Sequence, residues 1–421
     1  MSASMTRTKT SEGGHSGPPV ELPERWQIET LGKIAAGFVS GGTPPTKNNE
    51  FWKGNIPWIT SKWLNLKLHL ESGEKFISED ALKQSATTVV PRNNLIFATR
   101  VGVGKVAVNN IDLAINQDLA GVLVDSDRHD IRFLAYQLRS DRIQRTVASH
   151  KRGATIQGIT RDALKELEIY LPPLAEQRKI AAVLGLVQRA IEQQERLIAL
   201  TTELKKALLH KLFTEGLRGE PQKQSEIGLV PESWEVVTIG DLFKFSSGKS
   251  RPDDTELTAS ESRPFPVFGG NGVLGYSSRY LFEEPLLLIG RVGEYCGCAH
   301  HTAGRVWVSD NALYAKEILR ETNTRYAAEY FSYANLNQYR NQAGQPLITQ
   351  GVISKVIMPL PPIGQQREIL EPLTLLNQKL SVSNRKHAAL TALFRTLLHQ
   401  LMTALIRVDK LDIEELIVGI S

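Results

Sequence analysis

Chemistry in this chain could sit in its glycine-rich runs, its paired carboxylates or its neighbouring cysteines. GNGVLG at 270–275 satisfies G-x-G-x-x-G, and GVGKVA at 102–107 comes close. A dinucleotide loop needs such glycines between a strand and a helix, where backbone amides meet a pyrophosphate. Here YSSRYLF follows, which reads as strand and loop. Gly248-Lys249-Ser250 ends like a phosphate-binding loop, yet Phe243 stands where its first glycine belongs. PDDTEL (252–257) clusters carboxylates as a metal-dependent nuclease would, without the lysine expected after the second one. There is no Gly-x-Ser-x-Gly elbow and no Asn-Pro-Pro-aromatic tetrad. Cys296 and Cys298 are too close in sequence for an ordinary disulfide and lack a second Cys/His pair at zinc spacing. They read as strand cysteines followed by solvated His300 and His301. No bound metal and no catalytic constellation is expected.

The remaining candidates suit binding. Hydroxyls, amides and basic side chains are the groups that reach phosphates and base edges in DNA grooves. They gather in turn-rich segments: Ser40 and Thr43; Thr60, Ser61, Lys62, Trp63 and Asn65 of TSKWLN; Arg100 and Lys105; Asn116 and Gln117; Lys151 and Arg152. Further along come Ser247 and Lys249, Asn271, Arg291 and Tyr295, and Ser309 and Asn311. Each segment taken singly also reads as an ordinary polar loop around a packed aromatic residue. An arginine ending an apolar strand can equally snorkel or pair with a carboxylate. Repetition along the chain favours the DNA reading.

The elements that must position these residues are written twice. LPERWQIETLG (22–32) matches VPESWEVVTIG (230–240), with Pro23/Pro231, Trp26/Trp234 and Gly32/Gly240 in register. FVSGGTPPT (38–46) corresponds to FSSGKSRPD (245–253), and LIFATRVG (95–102) to LLLIGRVG (286–293), which places Arg100 and Arg291 at equivalent positions. TSKWLN has no recognisable equivalent in the second copy, which offers FGGNGVLGY (268–276) instead. Both copies close on a strong match, ITRDALKELEIYLPPLAEQRKI (159–180) against ITQGVISKVIMPLPPIGQQREI (348–369). Segments 33–158 and 241–347 hold short β-like runs broken by Gly, Pro and Asn, with helical pieces near 131–149 and 324–340.

A helical pattern of about forty residues, roughly 60 Å at ~1.5 Å per residue, follows each proline pair. Ile369, Leu373, Leu376, Leu380, Ser383, His387, Leu390, Phe394, Leu397 and Leu401 alternate at 4-3 spacing, a coiled-coil seam. Ile180, Leu184, Val187, Ile191, Gln194, Ile198, Thr201, Lys205, Leu208 and Leu212 take the matching places in the first copy. Pro372 predicts a kink in the second helix or a start only there.

Composition sets outer bounds. The 421 residues exceed one ordinary core and suggest two domains, and 41% apolar with 23% charged residues is ordinary for a soluble globular protein. Fifty basic against 45 acidic residues, with a pI near 9.0, mildly favours a polyanionic partner. No apolar run of membrane-spanning length and no secretory leader is visible, which predicts a cytoplasmic protein without membrane association.

The doubled Pro-x-x-Trp opening, the two Pro-Pro lead-ins to the long helices and the two-copy layout resemble the specificity subunits of type I restriction-modification systems. The resemblance runs from residue 22 to about 408. It implies an α+β fold with two globular target-recognition domains, each followed by a long α-helix, the two helices forming an antiparallel coiled coil. The expected divisions are a disordered extension 1–21, recognition domain 22–172, spacer helix 173–218, linker 219–229, recognition domain 230–361, second helix 362–408 and tail 409–421. The implied role is non-catalytic reading of a bipartite, asymmetric site on double-stranded DNA. Two modification (methyltransferase) subunits would be partners, with restriction/translocase subunits where a nuclease is present. S-adenosylmethionine, and ATP and Mg for restriction, would be bound by those partners, with no cofactor held by this chain. A self-contained DNA methyltransferase and a coiled-coil protein-recruiting scaffold are the alternatives. Absent methyl-donor motifs weigh against the first.

Overall fold

The computed structural model describes residues 22–64, 67–151, 158–341 and 345–408. The extension 1–21, the tail 409–421 and the candidates Asn65 and Arg152 lie outside the described residues. The chain forms two compact units, one combining the residues up to Glu195 with those from Lys386 onward, the other running Arg196–Arg385. Among the described residues no helix is long and apolar enough to cross a membrane.

Both units use one plan. The opening strand pairs antiparallel with the strand that leads to the proline pair: Gln27–Thr30 with Glu168–Leu171, and Glu235–Thr238 with Ile357–Leu360. Between them lies a mainly antiparallel sheet, whose one parallel neighbour is the edge strand His69–Leu70 of the first unit. In the first unit its order is Ala35–Ser40, Leu119–Val124, Asn94–Ala98, Val106–Asn109, with His69–Leu70 at the edge. In the second it is Phe243–Ser247, Ala312–Ile318, Leu287–Gly290, Ala299–His301. Asn94–Ala98 and Leu287–Gly290 are buried along their whole length, so both read as continuous rather than alternating apolar runs. A smaller sheet beside each contains one parallel pair, Ile56–Ile59 with Leu113–Ile115 and Phe265–Gly269 with Trp307–Val308.

One helix covers each main sheet. Ile131–Arg139 is capped by Asp130, whose carboxylate accepts from the amides of Arg132 and Phe133; Thr324–Tyr333 is capped in the same way by Asn323. Phe133 and Tyr326 occupy the same turn of these helices and are fully buried.

The long helices span Leu174–Thr214 and Ile363–Met402 and pack together. In the first unit Ile180 and Leu184 share a core with Leu398 and Leu401, so the start of one helix lies with the end of the other. In the second unit Leu212 and Phe213 share a core with Ile369 and Leu373, again antiparallel. The seam is buried or half-buried at every position read from the sequence, including the polar Gln194, Thr201 and Ser383. His387 of the seam meets Glu195 at 3.2 Å. Pro372 does not begin the second helix: the helix starts nine residues earlier, at Ile363, and runs through it. A proline at the tenth residue removes one ladder hydrogen bond and crowds the carbonyl four residues back, a cost that packing of Ile369, Leu370 and Leu373 offsets.

The proline pairs explain the strongest sequence match. The side-chain amide of Gln177 donates to the Pro172 carbonyl (2.9 Å), and its oxygen accepts the backbone amide of the cap residue Asp130 (3.0 Å). Gln366 repeats this on Pro361 (2.8 Å) and Asn323 (2.8 Å). Both glutamines are buried, 1% exposed, so losing either would strand polar groups without water. The indole N–H of Trp26 donates to Glu176 (3.3 Å) and that of Trp234 to Gln365 (2.7 Å). The repeated words Trp and Pro-Pro-x-x-Glu/Gln-Gln are thus a joint between domain and rod.

Candidate nucleic-acid interface

The candidate residues leave the sheets where the parallel strand pairs end. Parallel strands finish on the same side, so Thr60–Trp63 and Asn116–Gln117 emerge together, as do Gly270–Asn271 and Ser309–Asn311. One bond ties each pair: the Asn116 amide donates to the Ile59 carbonyl (3.1 Å), and the Ser309 amide to the Phe268 carbonyl (2.8 Å). TSKWLN and the GGN of FGGNGVLGY therefore begin at the same topological place, although their letters do not align. Gly269 and Gly272 face each other across a hairpin that continues as a strand, which leaves no helix N-terminus for a nucleotide.

A third segment reaches the same edge because it carries glycine. A Cβ on Gly41 would lie 2.0 Å from the Ile115 carbonyl oxygen, and one on Gly248 would lie 2.1 Å from that of Val308. Only glycine permits so close an approach. The next amides, of Gly42 and Lys249, donate to those same carbonyls (both 3.0 Å). Ser40 and Ser247, which precede the glycines, are thereby fixed beside the turns at 116 and 309.

The turns share a mechanism with different side chains. Asn116 is buried and accepts the Asp118 amide (3.2 Å) while donating to its carboxylate (3.1 Å). Ser309 is buried and accepts the Asn311 amide (3.3 Å). These two residues shape the turn, and the exposed Gln117 and Asn311 stand on its surface. Gln117 accepts the Thr43 hydroxyl (2.6 Å). In TSKWLN the amide and hydroxyl of Thr60 are both taken by Glu74 (3.0 and 2.7 Å), Ser61 is buried, and the Trp63 indole donates to the Ser72 carbonyl (3.1 Å). Lys62 is the exposed basic group of that loop.

The backbone corrects one equivalence. The amides of Thr99 and Arg291 donate to the carbonyls of Asp118 (2.8 Å) and Asn311 (2.9 Å), and their own carbonyls accept from Ile159 and Ile348 (both 2.9 Å). Ala98 and Gly290 before them pair with Leu119 and Ala312. Thr99, not Arg100, is therefore the counterpart of Arg291, and the shared letters Arg-Val-Gly are offset by one residue. Arg100 is exposed one step later. The Arg291 guanidinium donates to the Ser247 hydroxyl (3.3 Å).

Ser40, Thr43, Asn116, Gln117 and Arg100 thus gather in the first unit, with the Thr60–Trp63 loop alongside. Ser247, Lys249, Asn271, Arg291, Ser309 and Asn311 gather in the second. Lys105, Lys151 and Tyr295 are exposed and, among the described residues, make no hydrogen bond to either group. Arg161, absent from the sequence candidates, donates to the Ser40 hydroxyl. No signal in the sequence marks it, since Gln350 at its place is one of many differences between the two closing segments.

Other sequence motifs resolve as structure. Asp254 of PDDTEL accepts the Ser277 hydroxyl (2.7 Å) and the amide and hydroxyl of Ser278 (2.9 and 2.7 Å), bonds that hold its carboxyl far below the usual carboxylate range. It pins a loop. Cys296 and Cys298 lie in a turn, not a strand, where Asn337 donates to the Cys296 carbonyl (2.7 Å). His300 and His301 are on a strand and half-buried, not solvated, because that strand lies against the helix Thr324–Tyr333; burial pushes both imidazoles below their ordinary value. A cavity of about 620 Å³ beside them is lined by Lys205, His301, Arg325, Glu329 and Asn377. Glu329 takes Lys205 (3.2 Å) and Asn377 (2.7 Å) and His301 meets Thr324 (3.0 Å), whereas the buried Nε2 of His300, which also lines the cavity, has no hydrogen-bond partner among the described residues.

Comparison with known proteins agrees with this architecture. The family model for the type I restriction modification DNA specificity domain matches residues 23–202 and 231–392. The chain is 30% identical over 255 residues to the type I restriction enzyme MjaIX specificity subunit of Methanocaldococcus jannaschii, a match spanning 58% of each chain. It is 27% identical to the putative type I restriction enzyme MjaX specificity subunit of the same organism, over 92% of this chain and 95% of that one. The crystal structure of a type I restriction-modification S subunit from M. genitalium has the same fold, with a TM-score of 0.66 at 19% identity, covering 90% of this chain and 97% of that one. The chain accordingly belongs to the type I restriction-modification DNA specificity family, as a non-catalytic specificity subunit.

Proposed function

We propose that this chain reads a bipartite, asymmetric site on double-stranded DNA and directs two methyltransferase subunits to it, with restriction/translocase subunits where the system cleaves. The observation that carries this reading is the loop cluster built twice on one backbone scheme and furnished with different side chains. One frame gives two docking surfaces of the same kind, and different side chains at 42–43, 117–118 and 62 against 249–250, 310–311 and 271 give two different half-sites. The long helices set the interval between the half-sites. S-adenosylmethionine is held by the methyltransferase partners, ATP and Mg by the restriction partners, and the assembly works in the cytoplasm.

Methylome sequencing of a host expressing this chain with its neighbouring modification subunit tests the proposal. Methylated adenines in a split, asymmetric motif that vanish when the gene is deleted are expected. An unchanged methylome with both subunits present, together with no preference between DNA sequences at moderate salt, would discard the DNA reading and leave the scaffold.

A further inference from the structure

The two loop clusters share a detail that chain order hides. Ser40 and Ser247 end equivalent strands, precede equivalent glycines, and each receives a guanidinium. The arginines come from different supports. In the second unit Arg291 leaves the central strand of the sheet, at the place where the first unit has Thr99, whose hydroxyl turns to the Asp118 carbonyl (3.1 Å). In the first unit Arg161 leaves the short helix Arg161–Lys165, at the place where the second unit has Gln350. The supporting element has changed while the hydroxyl and its cation have stayed.

Neither arginine is there to balance charge. Among the described residues, Arg161 and Arg291 form no ion pair with a carboxylate, whereas Arg218, Arg279 and Arg340 do. Arg161 also gains nothing from its helix, since a cation in the first turn faces the positive end of the peptide dipoles. The helix is held by other means: Lys165, one turn on, lies over the Phe38 ring (5.8 Å to the centroid) on the same strand as Ser40. A guanidinium steadied by one neutral hydroxyl keeps most of its donors, and its full charge, for an outside anion.

We propose that Arg161 is the first domain's counterpart of Arg291, and that the two present their guanidinium forks to backbone phosphates of the DNA, one in each half-site. This assignment rests on the DNA-reading function proposed above. Ser40 and Ser247 are positioning residues that fix the fork. Sequence identity then sets the half-sites at the neighbouring loops, while these two contacts set register.

The test uses the full complex with its modification subunits and a duplex carrying the motif found by methylome sequencing, with a scrambled duplex as control. Affinity is followed by fluorescence anisotropy from low to moderate salt. Arg161→Ala and Arg291→Ala should each lower the slope of log K against log salt by about one, and the double variant by about two. Arg161→Lys should restore the slope but only part of the affinity, since ammonium lacks the fork. Ser40→Ala should keep the slope and weaken binding. A wild-type slope and affinity in Arg161→Ala, with Arg291→Ala impaired, would overturn the assignment while leaving the DNA reading intact. A wild-type complex that does not distinguish the motif from the scrambled duplex would instead remove the reading itself.

Discussion

The two joints between globular domain and long helices are made of the same hydrogen bonds and carry their charge in different places. At the first, the Trp26 indole meets a carboxylate, Glu176, which Arg407 neutralises at 2.9 and 3.4 Å. At the second, the Trp234 indole meets the neutral amide oxygen of Gln365. One layer away the order reverses. Tyr136 packs edge-on against Phe394 (5.9 Å between centroids), whereas Glu329, at the same turn of the equivalent helix, binds Lys205 and Asn377. Duplication preserved the donors and acceptors that fix geometry. Charge was free to move, provided each buried acid kept a cation beside it.

The largest effect should come from removing the tryptophans. Trp234 is fully buried and Trp26 nearly so, so Trp234→Ala and Trp26→Ala should each cost about 3–5 kcal/mol in denaturant unfolding. Equal loss of hydrogen-exchange protection in both units after either change would show that the joints are not local. Next comes the ion pair. Arg407→Ala leaves Glu176, 8% exposed, without its cation and should cost about 2–4 kcal/mol. Adding Glu176→Gln, which copies the second joint, should recover most of that loss. A double variant no better than the single one would mean that the arginine acts through packing.

The helix ends give a smaller contrast. The first long helix is followed by Gly216 at φ +69°, the second by Ala404 at φ +58°. Ala404→Gly should therefore stabilise the first unit, and Gly216→Ala destabilise the second, each by about 1 kcal/mol in thermal unfolding. Opposite signs in the two variants are the result to look for.

Acid should separate the units by degree. Burial lowers His300 and His301 in the second unit, and burial with neighbouring Arg128 lowers His129 in the first. A folded imidazole of lowered pKa takes up a proton less readily than the unfolded one, so stability is lost as pH falls through about 6.5. Hydrogen exchange between pH 7 and 5 should show the second unit, with two such groups, loosening more than the first. Alkali acts on both: burial pushes Tyr136 up to about 12 and raises Tyr326 and Tyr330 further, so stability present below about pH 10 is lost above it.

The sequence revealed the long-helix seams and the family because both depend on spacing along one chain segment. Burial at Ile180, Leu184, Ile369 and Leu373 follows directly from a 4-3 period. It misled at Arg100 because matching letters cannot show a strand ending one residue later; hydrogen-bond register can. Arg161 escaped notice for a different reason: its partner Ser40 lies 121 residues away, and nothing in either segment announces the meeting. The strand assignment of Cys296 and Cys298 failed on Gly297, whose φ of +88° bends the chain there.

The pairing of Gln27–Thr30 with Glu168–Leu171, and of Glu235–Thr238 with Ile357–Leu360, has a consequence for inheritance. The chain enters and leaves each domain on neighbouring strands, about 4.8 Å apart. Everything between them is a cassette with its two ends touching. A recombination with one crossover in each strand exchanges the whole loop cluster and leaves tryptophan, proline pair and rod untouched, so under the DNA-reading function proposed above one exchange replaces a half-site.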